Sequence, residues 1–216
     1  MKPRTAPPEQ RRTALLDAAA ELVLAKGISG FTVEDVTNAA QVAKGTFYLY
    51  FRSKEQLVRA LRERFINDLV ARQRAALRRL PADDWPGRLR RWMELSLRGY
   101  LAHAELHDAL FQHDGDAAES ATGHPADPAH NGHAAELAEI IQAGSESGAF
   151  ALTDPSLAVV LLYNTMHGTA DYLVERSRGG ALSKAETNRV IAELLKLCER
   201  YTETSREAPL RSEGAR

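Results

Sequence analysis

The chain has 216 residues, 44% hydrophobic and 26% charged, with a formal net charge of −1. That length can bury a core in one domain or two small ones, and the near-neutral balance excludes a globally basic nucleic-acid binder, so any such role rests on a local surface. A single cysteine, Cys198, excludes an intramolecular disulfide and a CxxC metal knuckle; with no apolar run near the roughly 18–20 residues of a membrane span and no signal-peptide core in MKPRTAPPEQRR, the expectation is a cytoplasmic protein without a membrane partner.

Pro3, Pro7 and Pro8 predict a disordered arm over residues 1–8. From Glu9, the positions Leu15, Ala18, Ala19, Leu22 and Val23 follow helical spacing up to Lys26-Gly27. Thr32 is a good N-cap for a short helix from Val33 to about Ala40, with Glu34 and Asp35 in its first turn. A third helix spans about Lys44 to Tyr50. Ser53 and Gln56 read as a capping box opening a fourth helix, whose stripe Leu57, Leu61, Phe65, Leu69 and Leu77 runs to about residue 80.

Asp84 caps a long helix expected to run unbroken through Trp85, Leu89, Trp92, Ser96, Gly99, His103 and His107 to about residue 112. Residues 114–132, rich in Gly, Ala, Asp, Pro and His, read as a loop or frayed helix. Further helices are expected over 133–147, over 155–178 (Asp154 as cap, Pro155 at the first position) and from Ser183 through Tyr201. The tail from 205 is polar. There is no β-alternation and no internal repeat. The fold class is all-α, about nine helices, with a head over 9–52, a second domain over 53–204 and helix 53–80 joining them.

The stretch FTVEDVTNAAQVAKGTFYLYFRSKEQL at 31–57 is the most informative. Two short helices joined by a tight turn can present the second to a DNA major groove about 12 Å wide. That second helix carries Lys44, Gly45, Thr46, Tyr48 and Tyr50 where a purely structural helix would want Leu and Ala. Gly45 lets a backbone come close, and Thr46 and the tyrosines can meet phosphates or thymine methyls. Phe47 and Phe51, four apart, read as buried anchors. Lys54, at the start of helix four, opposes the helix dipole, a conflict that a bound anion would settle. Seven Lys/Arg against five Asp/Glu leave residues 1–52 at about +2.

This segment resembles the DNA-binding head of the TetR family of bacterial regulators. The resemblance rests on Phe31-Thr32, on Val36, Ala40 and Val42, on the run Gly45–Phe51 and on Ser53-Lys54-Glu55-Gln56-Leu57. It implies a homodimer on a palindromic operator, usually a repressor released by a small ligand. Carried over by position, it implies phosphate contacts for Thr32, Thr46, Tyr50 and Lys54, with Lys44, Gly45 and Tyr48 nearest the bases. The chain departs from the family at Gln41, where a turn glycine is usual, at Ala43, where a serine cap is usual, and at Thr37.

In the remaining chain, Trp92, Met93, Tyr100, His103, His107 and Phe111, with Asn164, His167 and Asp171 at spacings of three and four, are candidate liners of an organic-effector cavity. His103 and His107 also stand at metal-ligand spacing, with His113, Asp114, Asp116 and His167 as further candidates, which leaves a metal-responsive regulator or a metal-dependent enzyme open. There is no HExxH, nucleophile elbow or phosphate loop, so no enzyme activity and no cofactor is expected. The last two helices are apolar on more than one face, and Leu157, Val160, Val190, Ile191, Leu194, Leu197 and Cys198 are candidate dimer contacts.

Overall fold

The computed structural model describes residues 7–111, 131–178, 180 and 183–203. Among them are nine helices: α1 (Pro8–Lys26), α2 (Val33–Ala39), α3 (Lys44–Tyr48), α4 (Lys54–Leu77), α5 (Trp85–Ala102), α6 (Ala104–Phe111), α7 (Gly132–Glu146), α8 (Pro155–Arg178) and α9 (Lys184–Glu203). The all-α expectation holds. Residues 1–6, the segment 112–130 with His113, Asp114 and Asp116, and the tail from 204 lie outside the described residues.

The chain divides into two compact units within α4, between Asp68 and Leu69, rather than at the start of that helix. The first holds described residues 7–68 and 103–111, the second 69–102 and those from 131 on. The long helix expected through residue 112 is broken at His103, and the two pieces belong to different units. The break follows from packing: Leu110 of α6 is wholly buried in the core of the first unit, its carbonyl accepting from Arg62 Nε at 2.8 Å. A continuous helix cannot also keep Trp92 and Leu97 wholly buried in the second.

In the first unit Leu15, Leu16, Ala19 and Val23 of α1 close over Phe31, Val36, Phe47 and Phe51, with Leu57 and Leu61 of α4 beneath. Gly27 ends α1 at φ +70°, its N–H reaching the Val23 carbonyl at 2.9 Å. In the second unit α5 packs against α7, α8 and α9. Its core carries a polar knot: Gln73 Nε2 donates to Ser96 Oγ at 2.7 Å, which lies 2.9 Å from His133 Nε2. The His133 ring stacks on Trp92 at 4.5 Å.

Candidate functional site

The short helix α3 exists because one side of it is anchored. Phe47 is wholly buried, with Phe51 at 5.7 Å and Tyr48 edge-on at 5.3 Å. Burial of such a ring is worth about 2–3 kcal/mol, enough to hold five residues that would not be helical alone. The last turn tightens, with Leu49 N–H bonding the Thr46 carbonyl at 3.2 Å and Tyr50 N–H the Phe47 carbonyl at 2.9 Å. Lys44, Gly45 and Tyr48 face solvent, while Thr46 and Tyr50 are half-buried. Leu49, 76% exposed, joins the outer face. It escaped the sequence reading although it stands four residues after Gly45, on the same helical side.

Gly45 has no internal reason to be glycine. A Cβ there would meet nothing within 4 Å, and its φ lies outside the left-handed region. A glycine inside a helix costs about 1 kcal/mol against alanine. The fold therefore gains nothing from a glycine here.

The turn before α3 bears out both local departures. Gln41 is the one non-glycine at positive φ among the described residues, at +55°, a conformation costing about 1–2 kcal/mol. Ala43 supplies no side-chain cap.

Two residues expected on phosphates have their donors engaged internally. Thr32 forms a capping box with Asp35: its Oγ1 donates to Asp35 Oδ2 at 2.8 Å and accepts from Asp35 N–H at 3.2 Å, while its own N–H donates to Oδ2 at 2.7 Å. The bonds from Thr32, with the Lys26 ammonium, hold the Asp35 carboxyl down at about 2. That carboxylate already compensates the α2 N-terminus and would repel a phosphate there. Lys54 donates from Nζ to the Phe31 carbonyl at 2.7 Å and lies 4.5 Å from the Phe31 ring centre, so the dipole conflict is settled within the chain. The Ser53 box is shifted by one: Gln56 N–H meets Ser53 Oγ at 3.3 Å, but Gln56 Oε1 takes the N–H of Arg52.

The expected effector residues do not form one set. His103, His107 and Phe111 lie in the first unit, their rings 6.1–6.2 Å from Phe65. Among the described residues no group of three His, Cys, Asp or Glu stands ready to hold a metal. Trp92, Met93 and Tyr100 are buried in the second unit. There Tyr100 donates to Asp171 at 2.7 Å and meets His167 edge-on at 5.8 Å. Asn164 is exposed and turned back to the Val160 carbonyl at 2.8 Å.

A cleft of about 520 Å³ lies between the end of α4, the start of α5 and α7. Arg74, Arg78 and Arg88, with Glu136, Glu139 and Glu146, supply its charge, and Leu77, Trp85, Ile140 and Ala143 its apolar wall. The Glu136 side chain is only 4% exposed; its Oε1 takes Arg74 Nε at 3.3 Å and its Oε2 has no well-formed hydrogen bond. Burial drives this carboxyl up to about 7, against the pull of Arg74. The sequence held a signal for it, since Glu136 falls on the inward stripe of His133, Leu137 and Ile140.

The candidate dimer residues divide as well. Leu157, Val160 and Leu197 are exposed, with Leu161 and Tyr172 beside them, whereas Ile191, Leu194 and Cys198 turn into the core of their own unit and Val190 is half-buried. Burial pushes the Cys198 thiol up to about 12. No helix among the described residues is long and apolar enough to cross a membrane.

Comparison with known proteins gives the first unit a family context. Residues 15–61 match the model of bacterial regulatory proteins of the tetR family. The chain is similar to the HTH-type transcriptional repressor KstR2 of Rhodococcus jostii (strain RHA1), 41% identical over 64 residues, which is 30% of this chain and 31% of that protein. The match thus spans about a third of the curated relative. Among solved structures, a protein of unknown function from Rhodococcus sp. RHA1 superposes with a TM-score of 0.71 over 93% of this chain and 98% of its own, at 22% identity. The transcriptional regulator FadR from Bacillus subtilis, solved in complex with stearoyl-CoA, has a TM-score of 0.64 at 17% identity, over 88% of this chain and 97% of its own. At such identities these likenesses are of fold alone.

Proposed function

We propose that this chain, whose residues 15–61 match the model of bacterial regulatory proteins of the tetR family, is a transcriptional repressor that binds a palindromic operator as a homodimer and is released by a small organic effector. The observation that carries this reading is the outer face of α3, where Lys44, an unneeded glycine at 45, Tyr48 and Leu49 stand exposed over a wholly buried Phe47. In this reading Gly45 lets the α3 backbone approach base edges, and Lys44 and Tyr48 read them. Thr46 and Tyr50 meet phosphates. Thr32 and Lys54 set the geometry of α2 and of the Phe31 carbonyl.

A palindrome requires two heads, and α8 offers a face for pairing. Leu157, Val160, Leu161 and Tyr172 are exposed along it. Gly168, where a Cβ would meet nothing within 4 Å, allows a second helix to come close. The effector binds in the second unit and acts on the head through the covalent links between them, α4 and the α5–α6 junction among them. Its leverage equals the difference in its affinity for the DNA-competent and released states. A cytoplasmic location accords with this role.

The test is selection from a random duplex library by the purified full chain, followed by anisotropy titration of the enriched sequence. An enriched inverted repeat, bound by wild type and lost in Tyr48→Ala with the fold intact, supports the proposal. Enrichment of no sequence over background overturns it.

A further inference from the structure

The cleft in the second unit combines features that the packing of the chain does not explain. Arg78 and Arg88 face it without a carboxylate in ion-pair reach among the described residues; Arg88 instead lies over the Trp85 ring at 5.2 Å. Arg88 Nε is buried and donates to nothing. At the same cleft the nearly buried Glu136 leaves Oε2 without a well-formed hydrogen bond, the Trp92 indole being the group that bears on its carboxyl. A buried donor and a buried acceptor left open each cost about 1–3 kcal/mol, and natural cores seldom leave two together.

We propose that this cleft is the effector site and that its ligand is a small organic carboxylate with an apolar body. Arg88 and Arg78 bond the ligand's carboxylate, and Glu136 takes up one proton from solvent to donate from Oε2 to the same group. The apolar body lies along Leu77, Trp85, Ile140 and Ala143. Three carboxylates balance the three guanidiniums around the cleft, but only Arg74 is paired, with Glu136, so Arg78 and Arg88 are left for an anionic group. A neutral ligand leaves Arg78 and Arg88 without a counter-charge.

Proton uptake makes binding depend on pH. The groups acting on Glu136 are Arg74 from α4, the Trp92 indole from α5 and Glu139 from its own helix, with Arg78, Arg88 and Glu146 also on the cleft wall. Arginine stays charged throughout the neutral range, so the titrating group is Glu136. Ligand affinity is full below its value of about 7 and falls as pH rises through it.

The inference rests on the reading of the chain as a sensor, and its test is separable from that reading. Octanoate is titrated into the purified full chain while the fluorescence of its two tryptophans, Trp85 and Trp92, is followed, with octanol and octylammonium as controls. Octanoate should bind about tenfold more weakly at about pH 8 than at about pH 6. Glu136→Gln should bind equally at both, near the wild-type value at the lower pH. Arg88→Met and Arg78→Met should each weaken binding about tenfold at either pH, with melting curves verifying the fold. Binding without pH dependence, equal binding of octanol, or no saturable binding overturns the proposal. Release of operator DNA by octanoate is scored separately: linked binding without release retains the ligand class and overturns the sensing role of the cleft.

Discussion

Lys54 and Phe31, 23 residues apart, are joined twice: the ammonium donates to the Phe31 carbonyl at 2.7 Å and lies 4.5 Å from the ring centre. The contact fixes the residue just before the Thr32 cap to the first turn of α4. Lys54→Met retains the stem but loses both interactions, and should lower stability by about 1 kcal/mol. The salt dependence of operator binding should stay as in wild type. A fall in its log–log slope of about one would instead make Lys54 a phosphate contact.

Gly45 and Tyr48 should separate stability from function. Gly45→Ala adds a methyl into open space within a helix, so thermal unfolding should show a gain of about 0.5–1 kcal/mol. Operator binding should nonetheless weaken. Tyr48→Ala, at a 53% exposed position, should leave melting nearly unchanged while affinity falls about tenfold to a hundredfold, as for a lost base contact of about 1–3 kcal/mol. Equal affinity in both variants would remove α3 from the interface.

Gln41 at φ +55° is strained. Gln41→Gly relieves a left-handed penalty of about 1–2 kcal/mol and returns part of it as unfolded-chain entropy. A net gain of about 0.5–1 kcal/mol in denaturant unfolding is expected.

Glu136 makes stability fall with pH. Its folded value of about 7 lies above its ordinary 4.5, so the folded chain holds the proton more tightly than the unfolded one. The penalty begins near pH 4.5, grows through neutrality and is complete above it, on the order of 3 kcal/mol. Glu136→Gln should match wild type below about pH 4.5 and exceed it by up to that amount at about pH 8. Chemical denaturation at the two pH values measures the difference.

Leu161 is 46% exposed on α8, so Leu161→Arg should fold normally. If α8 forms the dimer face, light scattering will give one chain mass for the variant and two for wild type. Operator binding should weaken with the loss of the second head.

How much of this was legible in the sequence varies with the range of the forces involved. Periodicity, caps and turn residues placed most of the helices, the Thr32 cap, the strained Gln41 and the uncapped Ala43, because each depends on neighbours within about one turn. The Phe47 anchor and the outward Lys44, Gly45 and Tyr48 follow from helical spacing and could be read likewise. Tertiary structure alone broke the helix at His103, because Leu110 and Trp92 are claimed by different cores and spacing is silent about which core a residue joins. It also turned Ile191, Leu194 and Cys198 inward while leaving Leu157, Val160 and Leu197 exposed, a choice that a helix apolar on two sides leaves to its neighbours. The cleft was beyond the sequence for the same reason: Arg74, Arg88 and Glu136 lie far apart along the chain, and only the packing of α4, α5 and α7 brings their charges together where water is scarce.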